Sequence, residues 1–150
     1  MKKNRFLILF LIVLVVVSAG VAIWHNTTRV TAPEGTLRIE YGEAVTQLPL
    51  DQLTLTSVQG TLVNGKGEER TIDGQGILLS QVLNQAGISE YGQVEAVADD
   101  EYSAIVTKEE IDQPDQVYLL LEQEERPQLV VFGDENSKRN VSGVIRLVVT

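Results

Sequence analysis

The stretch from Gly76 to Thr107 constrains this chain most, because it holds a helix signal and a hairpin signal back to back. Leu79, Val82, Leu83 and Ala86 fall at i, i+3, i+4 and i+7, which places all four on one face of a short helix. Ser80 can cap its start and Gly87 can end it. Two β-rich runs follow, Gln93–Ala98 and Ser103–Thr107, separated by the polar residues Asp99, Asp100, Glu101 and Tyr102. The expected unit is one helix packed against a hairpin. Such a unit needs further strands to cover its apolar side, and the flanking sequence offers them.

Toward the amino terminus, Lys2, Lys3 and Arg5 precede an uncharged run from Phe6 to Trp24, 19 residues dominated by Leu, Ile and Val. A helix of that length spans roughly 28 Å at ~1.5 Å per residue, close to the hydrocarbon thickness of a bilayer. The expectation is a single-pass signal anchor over residues 1–25, with the basic tip in the cytoplasm and the rest of the chain outside it. A cleaved signal peptide is the alternative, since Val17-Ser18-Ala19 offers small residues for cleavage. The chain has no cysteine, so lipid attachment through a cysteine, disulfides, a thiolate nucleophile and thiolate metal ligation are all excluded.

Charge is unevenly placed. The chain beyond the apolar run carries 9 basic against 21 acidic residues, a net of −12, which disfavours nucleic acid and anionic membrane surfaces as partners. Residues 26–35 read as a polar tether, and residues 36–150 as one domain. Leu37–Tyr41 and Ala44–Pro49 form an expected hairpin across Gly42-Glu43, with a helical turn at Leu50–Leu53. Leu55–Asn64 and Glu69–Ile72 form another, with positive φ expected at Asn64-Gly65. Asp73-Gly74-Gln75-Gly76 reads as a turn into the helix, and its glycine spacing fits no phosphate-binding loop. Lys108–Ile111 is a helical turn ended by Pro114; Val117–Leu121 and Leu129–Phe132 are buried strands on either side of an acidic turn, Glu122–Pro127. A loop at Gly133–Lys138 leads to a last strand, Val144–Val149, with Ile145, Leu147 and Val149 inward. The fold class is α+β, mostly β.

Gly76-Ile-Leu-Leu-Ser-Gln-Val-Leu-Asn-Gln-Ala-Gly87, Asp99-Asp-Glu-Tyr-Ser-Ala104, Pro127-Gln-Leu-Val-Val-Phe-Gly-Asp134 and Lys138-Arg-Asn-Val-Ser-Gly-Val-Ile-Arg-Leu-Val148 together resemble segments of the sulfite-oxidase-like molybdopterin-binding domain family. The resemblance spans about residues 36–149 and implies that family's fold. It also implies that Lys138, Arg139 and Tyr102 lie near where relatives approach their cofactor. Catalytic members hold molybdenum through a cysteine thiolate and bind the pterin with basic and histidine side chains. This chain has no cysteine, and its one histidine, His25, adjoins the apolar run.

Other constellations carry less. Asp99, Asp100 and Glu101 form the densest carboxylate cluster but lack the spacing of a calcium loop. The serines have no histidine beyond the apolar run, which excludes a Ser-His-Asp triad. Asn26-Thr-Thr28 and Asn140-Val-Ser142 fit the glycosylation pattern.

The sequence therefore leads to these expectations. The chain is a plasma-membrane protein with an extracytoplasmic domain, or is secreted if the signal is cleaved. The domain is a non-catalytic binding or interaction module with an envelope redox or protein partner. No catalytic or metal residue is expected, and molybdopterin is a cofactor by resemblance only. A cofactor-binding redox protein and a structural envelope protein are the alternatives.

Overall fold

The computed structural model describes residues 12–17, 33–121, 126–135 and 137–150. Residues 32–150 form one compact unit and residues 1–31 another. Of the apolar run, residues 12–17 are helical, each between 54% and 64% exposed. The remainder of the expected membrane helix, and the tether before Pro33, lie outside the described residues. Among the described residues no helix is long and apolar enough to cross a membrane.

The domain is α+β and mostly β. Its elements, in chain order, are β1 (Thr36–Tyr41), β2 (Ala44–Pro49), the 3-10 turn η1 (Leu50–Gln52), β3 (Thr56–Val63), β4 (Glu69–Leu78), α1 (Leu79–Gln85), β5 (Gln93–Ala98), β6 (Ser103–Thr107), α2 (Lys108–Ile111), β7 (Val117–Leu120), β8 (Gln128–Val131), the 3-10 turn η2 (Ser137–Arg139) and β9 (Val144–Val149). One sheet runs β2-β1-β9-β5-β6, the other β3-β4-β7-β8. First and last strands meet in parallel, Ile39 opposite Leu147, while every other ladder is antiparallel.

One core cluster draws on the inner faces of both sheets and on both helices, through Leu37, Ile39, Ile77, Leu79, Val82, Leu83, Val94, Ile111, Leu119, Leu129 and Leu147. Burying side chains of this size, at roughly 1.5–3 kcal/mol each, is what holds a domain without disulfides together. A second cluster, Val58, Leu62, Ile72, Tyr118, Leu120 and Val130, fills the other face of the four-stranded sheet. The Phe132 ring packs edge-on to Tyr118, with centroids 5.9 Å apart, and so close to Gly60 that a Cβ there would lie 2.4 Å from the ring. The Tyr118 hydroxyl donates to Asp115 Oδ1 at 2.7 Å. Burial, reinforced by that carboxylate, pushes its ionisation up to about 12.

Four expectations are corrected. Asp73–Gly76 is not a turn: β4 continues through it to Leu78, and a Cβ on Gly76 would lie 2.8 Å from the Leu119 carbonyl oxygen, so glycine serves close strand approach there. Ser80 does not cap α1. The chain enters the helix straight from β4, so the N-cap position falls on Leu78, whose side chain has no acceptor. Because no loop intervenes, α1 folds back on its own sheet: its closest strand neighbours are β4 and β7, and it meets the β5–β6 hairpin only through the shared core. In the β3–β4 hairpin the Asn64 side chain accepts from the Lys66 and Glu68 amides, and positive φ falls on Gly67. On β9 the inward face is as expected, with Ile145, Leu147 and Val149 buried, and a register shift against β5 between Val97 and Ala98 brings Val144 into the core as well.

The end of α1 follows the sequence closely. Gly87, at φ +77°, donates to the Asn84 carbonyl at 3.0 Å, and Ile88 donates to that of Leu83 at 2.9 Å. That pair of bonds satisfies carbonyls the last turn would leave open.

Candidate functional site

Along the β6 edge of the five-stranded sheet, η2 lies between the β5–β6 turn, which precedes that strand, and α2, which follows it. Asp100 Oδ1 accepts the Tyr102 amide at 3.0 Å, Ala98 donates back to the Tyr102 carbonyl at 2.8 Å, and Glu101 takes a positive φ of 69°. This tight turn projects Tyr102, which is 49% exposed, across the surface. Its hydroxyl donates to the backbone carbonyl of Lys138 in η2.

The next residue carries the densest electrostatics of the domain. Arg139 Nε donates to Asp134 Oδ2 at 2.8 Å and its NH1 donates to Glu110 Oε2 at 2.9 Å, while NH2 reaches both Glu110 Oε1, at 2.7 Å, and Asp134 Oδ1. Every guanidinium nitrogen is thus engaged by a carboxylate. All three side chains are partly buried, between 18% and 31% exposed. Gly133, at φ +87°, turns the chain after β8 so that Asp134 faces the arginine.

Glu110 holds a second job. Thr107 caps α2 by accepting the Glu110 amide, and the Glu110 carboxylate accepts the Thr107 amide at 2.9 Å, which closes a capping box. The same carboxylate therefore fixes the start of α2 and clamps η2. The hydrogen bonds from Arg139 hold its ionisation below the usual carboxylate range, against a smaller opposing effect of burial. The two carboxylates in turn hold Arg139 charged, well above the ordinary guanidinium range.

The three residues singled out from sequence, Tyr102, Lys138 and Arg139, are thus brought into one place. What the sequence reading missed are Glu110 and Asp134. The Ser/Thr-x-x-Glu spacing of a capping box occurs here as Thr107-Lys-Glu-Glu110, a local signal that would have found Glu110's bond to the backbone but not its pairing 29 residues away.

Asp99 and Asp100 of the β5–β6 turn are also engaged. Asp99 pairs with Arg126, and its amide donates to the Gly143 carbonyl at 3.2 Å. Among the described residues no group of three or more His, Cys, Asp or Glu side chains is placed to hold a metal ion. Chemically this corner is a clasp of one cation between two anions with a tyrosine strut beside it. Compared with known proteins, the chain matches no protein-family model and no curated protein.

Proposed function

We propose that this chain is a membrane-anchored, extracytoplasmic domain of sulfite-oxidase-like fold that works as a non-catalytic binding or interaction module. The observation that carries the reading is the state of Arg139. By resemblance it is the side chain best suited to meet an anionic cofactor, because a guanidinium can grip phosphate with two parallel bonds. Here that fork is filled from within by Asp134 and Glu110, and the triad as a whole carries a net negative charge. The residues present do not fit a molybdopterin: its phosphate would have to displace two carboxylates, and the chain has no cysteine to ligate the metal.

The anchor rests on the uncharged run Phe6–Trp24 and its basic flank, and the extracytoplasmic placement on the distribution of Lys2, Lys3 and Arg5. The test is elemental analysis and an absorbance spectrum on the full chain, purified from a host that makes the molybdenum cofactor. The expected result is a featureless spectrum and no molybdenum. Molybdenum or a pterin chromophore near one equivalent would overturn the reading in favour of a cofactor-binding redox protein.

A further inference from the structure

The two ends of the β3–β4 ladder treat side-chain amides differently. Beside the first residues of β3 opens a cleft of about 270 Å³, lined by Thr54, Thr56, Ile77, Gln81, Asn84 and Gln85. The buried Ile77 is its floor, and of its three amides Gln85 reaches the Gln52 carbonyl at 3.4 Å. At the far end, where β3 turns into β4, a single amide is gripped on both sides. Asn64 Oδ1 accepts the Lys66 and Glu68 amides, each at 2.9 Å, and Asn64 Nδ2 donates to Glu68 Oε2 at 2.6 Å. The backbone closes around it: the Asn64 amide donates to the Glu68 carbonyl and the Gly67 amide to the Asn64 carbonyl, each at 2.9 Å.

Asn64 is also the one asparagine of the chain followed by glycine. A backbone nitrogen after asparagine can attack the side-chain carbonyl carbon, and glycine puts no Cβ in the way. A Cβ built on Gly65 would meet nothing within 4 Å, so no neighbour crowds the position either. Among the described residues the Gly65 amide has no acceptor, and its nitrogen is not tied up in the turn.

We propose that Asn64 is a site of self-modification, at which the folded hairpin promotes cyclisation of its own side chain and turns a neutral amide into a carboxylate. The Gly65 nitrogen gives its proton to water and bonds to Asn64 Cγ, while the carbonyl electron pair moves to Oδ1. Both reacting groups sit on adjacent residues, so no translational freedom is lost in bringing them together. The negative oxygen is met by the Lys66 and Glu68 amides, the arrangement that stabilises an oxyanion. Nδ2 then takes a proton from water, and its cationic form stands against the Glu68 carboxylate. The Oδ1 pair re-forms the carbonyl, the Cγ–Nδ2 bond breaks, and ammonia leaves a succinimide. Water opens that ring to aspartate if the N–Cγ bond breaks, or to isoaspartate if the Gly65 peptide bond does.

The product undoes the grip. A carboxylate at position 64 has no proton to give Glu68, and the two like charges repel. Isoaspartate further adds a methylene to the main chain and pulls the acceptor away from the Lys66 and Glu68 amides. The hairpin tip therefore opens as the protein ages. This site stands apart from the proposed function, since it needs neither cofactor nor partner.

The test incubates the full chain at neutral pH and maps it by mass spectrometry over weeks, beside a sample kept unfolded in guanidinium chloride. Conversion at Asn64 is expected about tenfold faster in the folded chain, less than a buried oxyanion donor contributes because the tip is exposed. Glu68→Gln keeps an acceptor without the charge, so it should slow the folded chain about threefold and leave the unfolded rate unchanged. Its melting temperature reports whether it folds. Asn64→Asp marks the product in the map and should speed amide hydrogen exchange at Lys66 and Glu68. A folded rate equal to or below the unfolded one would overturn the proposal and show that the same bonds hold Asn64 still. Ammonia loss from Asn84 or Asn140 at a matching rate would overturn it too, as would a Glu68→Gln chain that converts like the parent.

Discussion

The Arg139 corner and the β3–α1 cleft are opposites in how their polar groups are spent. In the corner, Arg139, Glu110 and Asp134 close on one another and Tyr102 spans to a backbone carbonyl, so the strongest hydrogen-bonding groups of the domain are used internally. In the cleft, three amides and two threonines line an opening with no charge among them. A dense cluster of charge is a frequent sign of a site, but its meaning depends on whether the charges already answer each other. Neutral amides signal little in a sequence, and here three of them gather in a cleft beside the start of β3.

The comparison can be broken at the element both regions depend on. Ile77 floors the cleft and packs in the main core, so Ile77→Ala should cost about 2–5 kcal/mol and weaken both regions together, read by chemical denaturation. Arg139→Ala should cost less, about 1–3 kcal/mol, because it leaves Glu110 and Asp134 facing each other without their cation in a partly exposed setting. If Arg139→Ala melts like the parent, the corner is not a structural clasp.

Acid should act on the corner. Glu110 titrates lower in the folded chain than when unfolded, so the unfolded state binds more protons as pH falls through the carboxylate range. The stability from this pair is complete above the ordinary carboxylate pKa and is lost as pH drops through the lowered folded value. Denaturation midpoints measured down the acid range should show that loss in the parent, and a shallower one in Arg139→Ala. Tyr102→Phe should cost about 0.5 kcal/mol, the low end for a hydrogen bond, since the ring is half exposed. Gln81→Ala and Asn84→Ala should shift stability by no more than about 0.5 kcal/mol. A larger loss would mean that the cleft amides hold the fold.

Local chemistry explains what the sequence made legible. The α1 face of Leu79, Val82 and Leu83, the Gly87 stop, the β1–β2 hairpin and the fully buried β7 each follow from spacing over a few residues. Tyr102 and Arg139 were singled out by resemblance, and they do meet at one corner. Long-range pairing was hidden. Nothing near Gly76 announces that Leu119 will press against it, so a strand glycine read as a turn. Nothing near Val144 announces the shifted register with β5 that adds it to the core. Asp134 and Glu110 lie 5 and 29 residues from Arg139, and only the convergence of β8, α2 and η2 makes them its partners.

The most direct test of the central claim reads the guanidinium of Arg139 itself. In an NMR titration of the full chain with pyrophosphate, the Arg139 Nε–H resonance should keep its position, because Asp134 and Glu110 already occupy every nitrogen. A saturable shift of that resonance, absent in Arg139→Lys and stronger in Glu110→Gln, would contradict the account and show that the fork opens to an anionic ligand.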